Sequence, residues 1–233
     1  MISHGNLSVD DSECAEGRFS AAVVQRTQKP LKLRVTNGAQ SLTYSLKNTG
    51  EPEFFPLQLG NGGYTVRLYE NVMGNTYKPA GEIIFQVRLN NMDAPFLRPN
   101  QYVNYSDDSE VVSIAKRICK GKGTAEIVKS ICNYVKVQFA YDYVKALTVK
   151  AGALPDIEGT VKKRMGICQD LSAVIVAMLR SRCIPARLAI GYADKQYHAW
   201  AEIKSATGWE RYDPTAEICA TKKPKVYSVE RVY

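Results

Sequence analysis

The apolar residues of this chain change their spacing near residue 100, and that change limits the folds open to it. Leu31, Leu33 and Val35 alternate with polar residues, as do Leu42, Tyr44 and Leu46, then Tyr64, Val66 and Leu68, and finally Ile83, Phe85, Val87 and Leu89. A period of two places one side of a strand in a core. Beyond Ser106 the spacing becomes three and four residues: Val111, Ile114, Ala115 and Ile118, then Ile127, Ile131, Tyr134 and Val135, then Leu171, Val174, Ile175, Met178 and Leu179. That is one face of a helix. Strands followed by helices, segregated along the chain, predict an α+β protein. Turn signals at Asn37-Gly38, Gly60-Asn61-Gly62-Gly63 and Gly74-Asn75 predict short antiparallel strands closing into an Ig-like β-sandwich. The stretch from Asn90 to Ser106 carries Pro95 and Pro99 and keeps no period. The boundary is placed there, with a β-sandwich domain over residues 1–104 and a second domain over 105–233.

Charge separates the same halves. Residues 1–104 hold 10 Lys+Arg against 9 Asp+Glu, a net +1, which leaves 21 against 14, a net +7, for the remainder of a chain whose total is +8. The lysines are scattered and show no aromatic-spaced basic stripe, which argues for a solvated face and against nucleic acid. No apolar run approaches the ~18 residues that suggest a membrane span, so no membrane insertion is expected. Met1 to Asp10 reads as a polar tail without the blocks of a signal peptide, and the compartment is left open. The six cysteines stand at 14, 119, 132, 168, 183 and 219, with 12 residues inside the shortest gap. No C-x2-C pair exists, so neither a zinc site nor any other metal or cofactor is expected. Gly121-Lys122-Gly123-Thr124 lacks the phosphate-loop spacing and reads as a helix-stop, helix-start turn.

Chemistry concentrates around Cys168. Gly166-Ile167-Cys168 immediately precedes the third helical template, which puts the thiol at a helix N-terminus where free N–H groups and the dipole favour negative charge and can receive an oxyanion. The chain has two histidines, His4 in the polar tail and His198 in the alternating strand Tyr197-His198-Ala199-Trp200. A second strand, Trp209-Glu210-Arg211-Tyr212-Asp213, follows the turn-like Ser205-Ala206-Thr207-Gly208. If Ile203 faces Gly208 across a four-residue loop, His198 lies directly opposite Asp213, within reach of a carboxylate that fixes the imidazole tautomer. Each of the three has an ordinary reading as a packed thiol, a satisfied polar group and a turn initiator. Together they supply nucleophile, base and orienter.

Gly166-Ile167-Cys168-Gln169-Asp170-Leu171, Met178-Leu179-Arg180-Ser181-Arg182-Cys183-Ile184-Pro185-Ala186-Arg187, His198-Ala199-Trp200 and Asp213-Pro214-Thr215 follow one another in an order that resembles the transglutaminase-like superfamily, over about residues 107–216. Tyr141-Asp142-Tyr143 and Leu154-Pro155-Asp156 are similar to bacterial members that carry a β-sandwich ahead of the catalytic domain. The resemblance implies a papain-like core with Cys168, His198 and Asp213 as a catalytic triad and no cofactor. It implies cleavage or transfer of peptide or carboxamide bonds through a thioester, with hydrolysis favoured. The expected partner is a protein or peptide substrate, cell-wall peptide among the candidates, and the resemblance allows a secreted protein. The competing readings are a catalytically silent binding or adhesion module on the same fold and a glycan-amide hydrolase.

Overall fold

Alternation along the first half of the chain is satisfied by two facing layers. The computed structural model describes residues 1–221 and 224–233, which divide into two units, Met1–Pro95 and Phe96–Tyr233. In the first unit, β1 (Ile2–His4), β2 (Leu7–Asp10), β3 (Arg18–Val23) and β6 (Glu53–Pro56) form one antiparallel sheet; β4 (Leu31–Asn37), β5 (Gln40–Leu46), β7 (Gly62–Met73) and β8 (Thr76–Val87) form the other, in the order β5-β4-β7-β8. Phe19 stacks on Phe55 at 5.6 Å and meets Phe85 at 5.6 Å, which joins the two layers through one aromatic cluster. Leu33, Val35, Tyr64, Val66 and Leu68 are fully buried between them. The β-sandwich is the expected one, with two corrections. The β4–β5 hairpin closes on the pair Asn37↔Gln40, so the turn residues are Gly38 and Ala39. Met1 to Asp10 is not a tail: Leu7 and Val9 are fully buried, β2 pairs with β3, and the Nδ1 atom of His4 accepts a hydrogen bond from the Glu82 amide at 3.2 Å.

The division between units falls at Pro95/Phe96, inside the stretch read as a boundary but ahead of residue 104. Residues 96–104 belong to the second unit by contact. Phe96 meets Trp209 edge-on at 5.0 Å, Tyr102 stacks on Tyr233 at 3.6 Å, and the Arg98 carbonyl accepts a hydrogen bond from Arg180. Aromatic anchors of this kind carry no sequence period.

The second unit is built around one helix. It contains α1 (Glu110–Ile118), α2 (Thr124–Gln138), β9 (Ala140–Tyr141), α3 (Tyr143–Thr148), α4 (Ile157–Lys163), β10 (Met165–Gly166), α5 (Cys168–Arg180), the strands β11 (Ala186–Ala193), β12 (Gln196–Ser205) and β13 (Gly208–Tyr212), α6 (Pro214–Ile218) and β14 (Tyr227–Val232). The larger sheet runs β13-β12-β11-β14, all antiparallel, and a short parallel pair joins β9 to β10. Every residue of α5 from Asp170 to Arg180 is buried, because α1, α2 and α4 pack around it along with β11 and β12. A helix enclosed on all sides must be apolar all round or satisfy its polar groups internally. Arg180 does the latter: its Nε donates to the Ala186 carbonyl at 2.8 Å and its Nη2 to the Tyr233 carbonyl at 2.8 Å. No helix of the described residues is long and apolar enough to cross a membrane.

Candidate active site

Cys168 is the first residue of α5, and its position is set from both sides. Ahead of it, Gly166 passes so close to α4 and α5 that a Cβ there would lie 2.8 Å from the Cβ of Asp170 and 2.9 Å from Cγ2 of Thr160. Only glycine fits that approach. Behind it, the fully buried Asp170 carboxylate accepts from the Ile167 amide at 3.0 Å, from the Asp156 amide at 3.2 Å and from Lys145 Nζ at 2.6 Å. One carboxylate thus caps α5 and ties the start of α4 and the helix α3 to the Cys168 turn. The first intrahelical donor is the Leu171 amide, so the Cys168 N–H remains free of the helix ladder, as the first turn requires.

His198 and Asp213 meet, but not by the expected register. β12 and β13 close on Ser205↔Gly208 around a two-residue turn, Ala206-Thr207, with Ala201 opposite Tyr212. The ladder is therefore displaced by two positions from the one read off the sequence, and Asp213 lies diagonally from His198 instead of directly across. A displacement of two leaves every side chain on its original face, which is why the pair still forms. Nε2 of His198 and Oδ2 of Asp213 are 2.9 Å apart. Asp213 is also the N-cap of α6, where its other oxygen accepts from the amides of Thr215 at 3.0 Å and Ala216 at 3.2 Å. Tyr227 on β14 donates its hydroxyl to Oδ2 at 2.9 Å. Four donors leave this carboxylate a single orientation.

The electrostatics follow from these contacts. Burial works against the imidazolium, but the Asp213 carboxylate and the neighbouring Cys168 thiol outweigh it and raise His198 to about 9. Burial likewise disfavours the Asp213 carboxylate, and the His198 ring, the Ala216 amide and the Tyr227 hydroxyl more than reverse this, leaving its pKa below the ordinary value. With Nε2 committed to Asp213, Nδ1 is the ring nitrogen available to Cys168. Cys168 and His198 line a cleft of about 630 Å³ together with Tyr141, Gln169, Tyr197 and Arg231. Tyr141 is half-buried there, and burial followed by the proximity of Cys168 pushes its hydroxyl up to about 12. All six cysteines are free thiols, with Cys14, Cys119 and Cys132 buried, Cys183 exposed, and Cys168 and Cys219 partly accessible. Among the described residues no group of three or more His, Cys, Asp or Glu side chains is placed to hold a metal ion.

The residue pattern around this cleft also matches a known profile: residues 112–214 correspond to the transglutaminase-like superfamily. The chain carries a transglutaminase-like domain. An uncharacterised Mycobacterium leprae protein is 26% identical over 150 residues, covering 59% of this chain and 50% of that protein, so the chain spans about half the length of this relative. Among solved structures, a Cytophaga hutchinsonii protein classed provisionally as a cysteine protease is 20% identical, with 91% of this chain and 73% of that one covered at a TM-score of 0.46. The periplasmic domain of TgpA from Pseudomonas aeruginosa is 15% identical, with 87% and 73% covered and a TM-score of 0.45. Of the groups lining the cleft or bonded to His198 and Asp213, Tyr141, Tyr227 and Arg231 escaped the sequence reading of roles. Tyr141 could have been suspected from its place among the aromatic residues ahead of Cys168; the other two depend on β14, whose pairing no local pattern announces.

Proposed function

We propose that the protein is a cysteine-dependent acyl-transfer enzyme that hydrolyses peptide or carboxamide bonds, with Cys168, His198 and Asp213 as its catalytic triad. The observation that carries this reading is the position of the His198 ring, bonded through Nε2 to Asp213 and facing Cys168 in the same cleft. The Cys168 sulfur attacks the carbonyl carbon, forming the S–C bond, while His198 holds the thiol proton. Collapse of the tetrahedral adduct breaks the C–N bond, and the imidazolium gives its proton to the departing amine. Water, deprotonated by the now neutral His198, attacks the thioester; the C–O bond forms, the S–C bond breaks, and thiol and carboxylic acid are restored.

A ring raised to about 9 keeps its proton at neutral pH, as a general acid to an amine must. The Cys168 N–H, free of the helix ladder, is the donor assigned to the oxyanion, and the Tyr141 hydroxyl in the same cleft is a second candidate. Hydrolysis is favoured over amine transfer because the cleft is bordered by exposed residues, including Lys150, Gln196 and Tyr197, and admits water to the thioester.

The test is turnover of a panel of peptide, glutamine-amide and cell-wall amide substrates. Cys168→Ala and His198→Ala are expected to abolish it, whereas Cys183→Ala retains it. Asp213→Asn removes the charge that supports the imidazolium, so the alkaline limb of the rate profile should move from about 9 toward the ordinary histidine value of 6.5. Equal turnover by Cys168→Ala and the parent would end the enzyme reading in favour of a binding scaffold.

A further inference from the structure

The strand β14 carries an irregularity beside the cleft. Tyr192 pairs with Ser228 and Gly191 with Val229, yet the next residue on β11, Ile190, pairs with Arg231. Glu230 is the extra residue of a β-bulge. On the ladder set by Ser228 and Val229, Glu230 would stand opposite Ile190, and Arg231 would turn to the other face. The bulge exchanges them. Ile190 lines the cleft, so the exchange puts a guanidinium at the cleft wall where an unbroken ladder would put a carboxylate.

This arrangement is built into the backbone. A Cβ on Gly191 would lie 2.0 Å from the Ser228 carbonyl oxygen and 2.9 Å from the Glu230 nitrogen, so the bulge requires a residue without one. Arg231 is held by a neutral partner, donating to the Tyr197 hydroxyl, and makes no ion pair among the described residues, the adjacent Glu230 carboxylate acting on it at longer range. Lys150 also lines the cleft, along with Ala146, Ala151 and Ala153, and no aspartate or glutamate contributes to the lining. Two permanent cations, besides the His198 ring, therefore line the cleft that holds Cys168, and no carboxylate does.

We infer that the cleft selects an acyl donor bearing a free carboxylate close to its reacting carbonyl, as in an acidic peptide, with Arg231 as the specificity-determining cation and Lys150 assisting. The inference rests on Cys168 being the nucleophile. A planar guanidinium already positioned by Tyr197 is suited to bind a carboxylate through two parallel N–H groups. Neutral isosteres gain nothing from it.

Iodoacetate and iodoacetamide test this whatever the natural substrate is. Both alkylate a thiolate by displacing iodide and are nearly equal in size; they differ in carrying a carboxylate or an amide. The rate at each cysteine is read by peptide mass spectrometry, and the quantity of interest is the iodoacetate-to-iodoacetamide ratio at Cys168 divided by that at the exposed Cys183. In Arg231→Gln this normalised ratio should fall about three- to tenfold, and the parent value should itself fall with added salt. Arg231→Lys should keep most of it, and Glu230→Gln should not lower it. Protection of the buried Cys132 in each variant certifies the fold. An unchanged ratio in a folded Arg231→Gln protein overturns the inference while leaving the nucleophile in place. Parent protein in which Cys168 reacts no faster than Cys183 with either reagent sinks the nucleophile reading, and the inference with it.

Discussion

The two units bury different things. In the sandwich the buried polar side chains are Ser20 and Gln58, both uncharged, whereas the transglutaminase-like unit buries Asp170, Arg180, Glu202 and Asp213. Each of these charges is met: Asp170 by Lys145 and two amides, Arg180 by carbonyls, Glu202 by Arg187 at 2.6 Å and the Trp200 indole at 3.2 Å, Asp213 by His198, Tyr227 and the α6 amides. Burying an ion is costly unless it is paired and hydrogen-bonded, so such groups persist where orientation is the gain. Three of the four lie in the fabric around Cys168 and His198 or in their strands. The sandwich fixes its strands with volume, the other unit fixes its side chains with charge, and a chemical site needs the second kind of rigidity.

The sharpest way to break that contrast is Asp170→Ala. It strands two amides and the Lys145 ammonium around a fully buried position, and the second unit should lose about 3–5 kcal/mol while the sandwich is unaffected, as read by hydrogen exchange on peptides from each unit. Leu33→Ala is the counterpart in the sandwich, where loss of a fully buried side chain should cost about 3 kcal/mol by cavity formation, with no dependence on pH between about 5 and 9. Charge-independent loss in both variants would erase the distinction between the units.

Tyr227→Phe is a finer probe. It removes one donor from Asp213 and should cost about 1–2 kcal/mol. Because the folded-state pKa of Asp213 is depressed, its contribution is present above the ordinary carboxyl value and lost as pH falls through the folded value; without the Tyr227 bond that loss begins at higher pH, visible in acid unfolding curves. The His198 contribution has the opposite sign. It is complete below the unfolded value of 6.5 and is lost as pH rises through about 9. The smallest effect is expected at Ile84, 64% exposed on the outer face of β8, where replacement by lysine should change stability by less than about 0.5 kcal/mol in thermal melts.

Legibility followed the range of the interactions. Strands with one buried side, such as 31–35 and 83–87, declare themselves by alternation, and α5 by its apolar template. β1 and β2 do not: Leu7 and Val9 are two apolar residues among polar ones, and they enter the core only because β3 pairs beside them. The β12–β13 turn, Ala206-Thr207, has no asparagine or leading glycine to mark a two-residue loop, so the register came out displaced by two, and the error was harmless only because it was even. The cysteine turn was visible through its glycine and the helix behind it. What Asp170 does there was not, since its partners at 145 and 156 are brought to it by α3 and α4. Tyr227 and Arg231 are placed by a pairing that spans more than thirty residues and contains a bulge, and no local rule of periodicity survives a bulge.

Gly191 gives this last feature a longer reach. It sits on β11, contributes no side chain to anything, and decides by the space it leaves which of two adjacent, oppositely charged residues on β14 looks into the cleft. A Cβ at 191 would meet the Ser228 carbonyl oxygen and the Glu230 nitrogen, so the backbone that forms the bulge would have to shift to admit one. The sign of the field at the cleft is thus written in a hydrogen atom, one strand away from either charge. If Arg231 is the selecting cation, a substitution at 191 is expected to lower the iodoacetate-to-iodoacetamide ratio at Cys168 without altering Cys168, His198 or Asp213 themselves.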